Sequence, residues 1–119
     1  MSQNCSVRSV MELGTRQHGI SIAPDWLDEA GVGVGDTIGL NRREGRLTER
    51  GATIHLGEYD PDTVDYEKEL KDKGGSTVVT LPLGIRMWLN ALPGDAEVGT
   101  PSVYLSRGAD SEDILVEAP

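Results

Sequence analysis

Three features of the sequence point to a mostly β domain with two short helices. A unit is written twice: Gly35-Asp36 and Gly94-Asp95 stand 59 residues apart, and at that offset Ile20 meets Val79, Ile22 meets Leu81, Trp26 meets Ile85, Ala30 meets Leu89 and Val34 meets Pro93. Each copy runs as a period-two apolar stretch, a proline, a short amphipathic stretch and a Gly-Asp turn, with the prolines slipped by one so that Ala23 takes the place of Pro82. Phe is absent and aromatic residues make up 4%, so the core must be aliphatic and shallow, which suits interleaved β units better than a deep catalytic cleft. Two such units in 119 residues leave room for one compact domain, in which each half covers the face that the other cannot bury alone.

The elements follow in order. Val7 to Leu13 mixes apolar and polar residues as a strand does, and Gly14 ends it. Gly19 to Ile22 alternates at period two and reads as a half-buried strand. Pro24 fixes φ and lacks an N–H, both tolerated in a first helical turn, so Asp25 to Ala30 reads as a helix of one to two turns with Trp26, Leu27 and Ala30 inward. Gly31 can adopt the left-handed conformation that stops a helix, and Val34-Gly35-Asp36 turns the chain into a strand over Thr37 to Leu40. Asn41 to Gly45 reads as a hairpin connection returning through Arg46 to Thr48, with a further strand over Ala52 to Leu56. Glu58 to Asp65 carries four carboxylates around one proline and breaks both periodicities, as a linker does. The second unit then repeats the pattern: Tyr66 to Leu70, a strand at Thr77 to Leu81, a helix at Gly84 to Asn90 with Ile85, Trp88 and Leu89 inward, and strands near Ala96 to Val98, Ser102 to Leu105 and Ile114 to Val116. The halves are therefore residues 1–57 and 66–119, joined by residues 58–65.

Charge and cysteine usage narrow the function classes. The net charge is −9, with three lysines against eight arginines, a balance that resembles the acidic proteins of halophilic archaea and serves solvation first. One cysteine, Cys5, excludes an internal disulfide, and no CxxC or HExxH spacing provides for a metal. No apolar run approaches the roughly 18 residues that a membrane helix needs, and the N-terminus lacks the apolar stretch of a signal peptide, so the expectation is a cytoplasmic protein with no membrane partner. Gly31-Val32-Gly33-Val34-Gly35 lacks the βαβ surroundings of a phosphate loop and reads as helix stop plus turn. Asp60, Asp62 and Asp65 miss the spacing of a calcium loop. His18 and His55 have no neighbouring nucleophile or ligand cluster in sequence, so neither catalysis nor a cofactor is expected. Trp26 and Trp88 read as core anchors at equivalent helix positions, and Arg42, Arg43, Arg46 and Arg50 form the densest basic patch, interleaved with Glu44 and Glu49.

Across GGSTVVTLPLGIRMWLNALPGD the chain resembles the AbrB/MazE-type (SpoVT-AbrB) swapped-hairpin family, through Gly75, Ser76, Val79, Thr80, Leu81, Pro82, Ile85, Arg86, Leu89, Gly94 and Asp95. The first copy matches through Ile20, Ile22, Trp26, Ala30, Gly31, Gly35 and Asp36, and departs at Ala23; Asn90 stands where a helix-ending glycine is common. The resemblance implies a double-psi or swapped-hairpin barrel in which two units exchange β-hairpins. Here both units sit on one chain, as an intramolecular pseudo-dimer. A linker of about 8 residues reaches roughly 26 Å, enough to cross a small domain.

The resemblance also implies a transcription regulator that binds double-stranded DNA through basic residues on the N-terminal strand and the loop before the G-S-x-x-V-T-I-P strand. Carried over residue by residue, the contacts are Arg8, Arg16 and His18 in the first unit, and Lys71, Lys73 and Ser76 in the second, with Arg86 on the helix. The alternative is a protein-interaction scaffold or antitoxin-like module that binds DNA weakly or not at all. The sign of the surface around Arg8, Arg16, Lys71 and Lys73 separates the two. A monomeric pseudo-dimer and a homodimer are both compatible with the sequence.

Overall fold

In chain order the elements are β1 (Cys5–Ser9), β2 (Met11–Gly14), β3 (Gln17–Ser21), α1 (Pro24–Ala30), β4 (Thr37–Arg43), β5 (Gly51–His55), β6 (Tyr66–Glu69), β7 (Lys71–Lys73), β8 (Ser76–Thr80), α2 (Leu83–Trp88), β9 (Ser102–Arg107) and β10 (Asp113–Glu117). They come from a computed structural model that describes residues 5–14, 17–43, 50–89, 102–107 and 113–117. The protein is mostly β, with two short helices and curled antiparallel sheets that form a half-barrel.

The two copies of the repeat meet at β3 and β8. These strands pair antiparallel with Ile20 opposite Val79, so residues related by the 59-residue offset face each other and a local twofold axis runs between them. The flanking backbone bonds obey the same axis. Ile22 N donates to Thr77 O at 3.0 Å and Leu81 N donates to His18 O at 2.8 Å, each bond the image of the other under the offset. A hairpin partner lies outside each central strand, giving a four-stranded sheet in the order β2-β3-β8-β7.

The larger sheet runs β1-β9-β10-β5-β4-β6, and its strands come from both halves of the chain. At its middle β10 pairs β5, Ile114 opposite Ile54. The first strand of each half is added to the other half: β1 pairs β9, and β6 pairs β4. Buried residues alternate along β9 and through Ile114 and Val116 of β10, as a sheet with one buried face requires, while all five residues of β5 are buried. Ile38, Leu40, Ala52, Ile54, Val103, Leu105, Ile114 and Val116 are almost fully buried, and they meet Ile20, Ile22, Val79 and Leu81 of the small sheet with Trp26, Leu27, Ile85 and Leu89 of the helices. Each such aliphatic side chain contributes about 1.5–3 kcal/mol relative to an exposed one.

Local chemistry sets the boundaries. Pro24 opens α1 at its first turn, and Gly31, at φ 70°, closes it while its N–H donates to Asp28 O. The expected strand over Val7 to Leu13 is broken in two at Val10, which is 1% exposed where the chain passes from the large sheet to the small one. The acidic segment before β6 is not a free linker. Thr63 N donates to Asp60 O, Asp65 N donates to Leu40 O, and Tyr59 and Val64 lie over Gly39, where a Cβ would come within 3.1 Å of the tyrosine ring. The expected strands at Arg46 to Thr48 and Ala96 to Val98 lie outside the described residues.

Of the two tryptophans expected as core anchors, Trp26 is one and Trp88 is not. Trp26 is 2% exposed in the core, but its repeat mate is Ile85, which is fully buried. Trp88 sits half-buried at the rim, its Nε1 donating to Gly51 O at 2.8 Å and its ring lying under the Arg50 guanidinium, 5.5 Å from the ring centroid.

Candidate nucleic-acid interface

The second hairpin of the small sheet is built by its turn. Lys73 pairs Ser76, leaving Gly74 and Gly75 as a two-residue loop, and their φ angles of 61° and 88° are both in the region that side chains avoid. Two positive φ values in a two-residue loop make the type I′ turn that suits the twist of antiparallel strands. The consequence is where the lysines stand. β7 is held as a strand, with Lys71 and Lys73 two residues apart on one face and Asp72 on the other.

The small sheet curls until its outer strands approach. Lys73 Nζ donates to the Glu12 carbonyl of β2 at 2.6 Å, and a cleft of about 340 Å³ opens between the hairpins, lined by Leu13, Gln17, Lys71, Asp72, Lys73, Val78 and Thr80. Ser76 stands exposed at the start of β8. His18, opposite Glu12 on β3, is half-buried, and its Nδ1 is enclosed without a hydrogen-bond partner.

The remaining expected contacts fare differently. Arg8 lies on β1, where Nε donates to Ser6 Oγ at 2.9 Å and an Nη to Ser21 Oγ at 3.3 Å, so its guanidinium bridges the large sheet to β3. Arg86 is withdrawn from the interface. It is 7% exposed, and its Nε donates to Leu81 O at 3.1 Å, so the helix holds it as an internal brace. Arg16 lies outside the described residues. In the other basic patch Arg42 faces Asp65, with Nε 3.6 Å from Oδ2, Arg50 covers Trp88, Arg43 is exposed and Arg46 lies outside the described residues.

No protein-family model, curated protein or solved structure matches this chain. The site is therefore read from its own geometry. Gln17, Thr80 and Leu13 join the cleft although nothing in their spacing marked them. The Gly74-Gly75 pair between Lys73 and Ser76 was the available signal for a tight hairpin, and hence for β7.

A second polar cluster lies on the outer face of the large sheet. His55 is 8% exposed; its Nδ1 stands 3.2 Å from Asp113 Oδ1 and its Nε2 3.1 Å from Asn41 Nδ2, while Asn41 Oδ1 accepts from Asp65 N at 2.7 Å. With Nδ1 donating and Nε2 accepting, every member of this chain is satisfied, and it stitches β4, β5 and β10 together. Beside it Tyr59 donates its hydroxyl to Glu67 at 2.7 Å. Burial, then that hydrogen bond and the carboxylate's charge, push the Tyr59 hydroxyl from 10.0 up to about 12. Among the described residues no group of three His, Cys, Asp or Glu is placed to hold a metal ion, and no helix is long and apolar enough to cross a membrane.

Proposed function

We propose that the protein is a DNA-binding transcriptional regulator of the AbrB type, gripping duplex DNA at the cleft between the two hairpins of the small sheet. The observation that carries this reading is the convergence of Lys71, Lys73, Gln17 and Thr80 on one cleft, beside the axis where repeat mates Ile20 and Val79 face each other. Two ammonium groups on a strand face neutralise phosphates, and neutral side chains such as Gln and Thr position the backbone or read base edges. The exchange of first strands between halves supports a swapped-hairpin architecture, with one chain completing what a homodimer otherwise supplies. A charge of −9 opposes approach at long range, but at 1 M salt the Debye length is about 3 Å and local contacts dominate.

Titration of random duplex DNA at several KCl concentrations tests the reading. Lys71→Glu with Lys73→Glu should weaken binding and lower the slope of log affinity against log salt by about 1 for each lost phosphate contact. Equal binding by the wild type and the folded double variant defeats it. That result favours the protein-interaction scaffold, a reading supported by Asp72 and the Glu12 carbonyl beside the two lysines and by the internal partners of Arg8 and Arg86.

A further inference from the structure

The two ends of the large sheet are repeat-equivalent and chemically opposite. At one end stands β6, whose sequence YEKE places exposed Glu67 and Glu69 on the open edge. Such charges are the usual guard against edge-to-edge pairing. At the other end stands β1, CSVRS, with Cys5, Val7 and Ser9 exposed and a single charge, Arg8, which is turned onto Ser6 and Ser21. Val7 is 61% exposed, and directly across from it on β9 is Tyr104, 42% exposed. Among the described residues an unguarded edge and an apolar pair thus coincide.

What can approach that edge is decided by charge. The chain carries −9, so a second copy is repelled over most of the surface, yet β1 and β9 contain no Asp or Glu. Neither strand of this flank brings a carboxylate of its own to a meeting of two copies. An edge strand offers its own unpaired N–H and C=O groups to an identical antiparallel strand, and such a contact is isologous, each copy burying the same residues. Because β6 is guarded, pairing stops at two copies and does not propagate.

We propose that β1 is the edge through which two copies of this chain pair antiparallel, continuing the large sheet across a twofold axis with Val7 and Tyr104 packed over the seam. Five residues of strand and one apolar pair per copy make a contact well below the ~800 Å² per partner of a stable interface, so the dimer is weak and concentration-dependent. Two bodies of like charge associate better when screened, so KCl strengthens it.

Sedimentation velocity over a concentration series up to about millimolar, in low and in molar KCl, reads the association directly. The wild type should show a monomer–dimer equilibrium that shifts to dimer with KCl. Val7→Lys sets like charges against each other across the axis, and should weaken the dimer about tenfold or more. Val34→Lys, at an equally exposed position away from β1, should leave the dimer constant unchanged, and circular dichroism confirms that both variants fold. A wild type that stays monomeric across the series overturns the proposal, as does a folded Val7→Lys variant that dimerises like the wild type.

Discussion

Replacing Gly19 by alanine sets two effects of opposite sign against each other. An alanine in a strand interior is favoured over glycine by about 0.5–1 kcal/mol, because glycine loses more backbone freedom on folding. Gly19 has no positive φ to forbid a side chain, so the local rule predicts stabilisation. Packing predicts the reverse. A Cβ at Gly19 would press against the carbonyl oxygen of Val79 and lie 2.6 Å from Leu13 Cδ1. The leucine methyl can rotate away, but the carbonyl belongs to β8, whose register with β3 is fixed at Gly19 opposite Thr80 and Ile20 opposite Val79. Relief requires β3 and β8 to separate at the local twofold, where Ile20 and Val79 are fully buried. Overpacking of this kind costs about 1–3 kcal/mol, the higher end where backbone must move. The net expectation for Gly19→Ala is a loss of about 2 kcal/mol, or roughly 6–10 °C in Tm for a domain of this length. Gly33→Ala is the matched control. Among the described residues no atom lies within 4 Å of its Cβ position and its φ is ordinary, so it should be neutral or stabilising by up to about 1 kcal/mol. Urea unfolding at constant molar KCl, followed by circular dichroism, measures both. A Gly19→Ala variant as stable as the wild type would falsify the close approach of the two central strands.

Three further outcomes are expected. Tm should rise steadily with KCl, since the repulsion within a chain of net charge −9 is screened as the Debye length falls to about 3 Å at 1 M; a flat profile removes the salt-adapted reading. Trp88→Phe keeps most of the ring but leaves the buried Gly51 carbonyl without its donor, and should cost about 1–3 kcal/mol in denaturant unfolding; a cost near zero shows that the bond is replaced by water. Tyr59 stays protonated in the folded state to about pH 12, against 10.0 for the free group, so its contribution to stability is complete below about pH 10 and is lost as pH climbs toward 12. Tyr59→Phe should flatten the fall in urea midpoint across that window, and identical slopes for variant and wild type refute the assignment.

How much of this was legible in the sequence depends on the scale of the signal. The offset of 59 residues paired Ile20 with Val79 before any strand was placed, and the two are cross-strand neighbours; alternation marked β3 and β8, and Pro24 and Gly31 bracketed α1. The break at Val10 left no trace, because passing between sheets leaves an apolar residue apolar. Trp88 read as core because its spacing is inward on an ideal helix, but α2 is only six residues long and its rim faces β5. Lys71 and Lys73, which charge and the flanking turn had marked, line the cleft, and Ser76 stands exposed at the start of β8. The burial of Arg86 was not legible, because sequence reports the charge of a side chain and not its burial. The Asp113, His55 and Asn41 chain joins residues 14 and 58 positions apart, a distance over which spacing carries no information without a register.

The two sides of the local twofold lie on one chain, so their residues need not be identical as they must be in a homodimer. The buried positions are equivalent in kind: Ile20 and Val79, Ile22 and Leu81, and Trp26 and Ile85 are all within 2% of complete burial. The surface positions are not. Where α2 exposes Leu83 and Met87, the same offset places Pro24 and Asp28 on α1. Where β6 is guarded by Glu67 and Glu69, β1 is open. The divergence reaches the candidate site itself, for Lys71-Asp72-Lys73 answers to Glu12-Leu13-Gly14 in the first copy. The basic stem is therefore a property of one half, and the other contributes a backbone carbonyl and a neutral wall. Core packing depends on volume and shape and so preserves the symmetry of the fold, while solvent-facing positions cost little to change and record what each half was free to become.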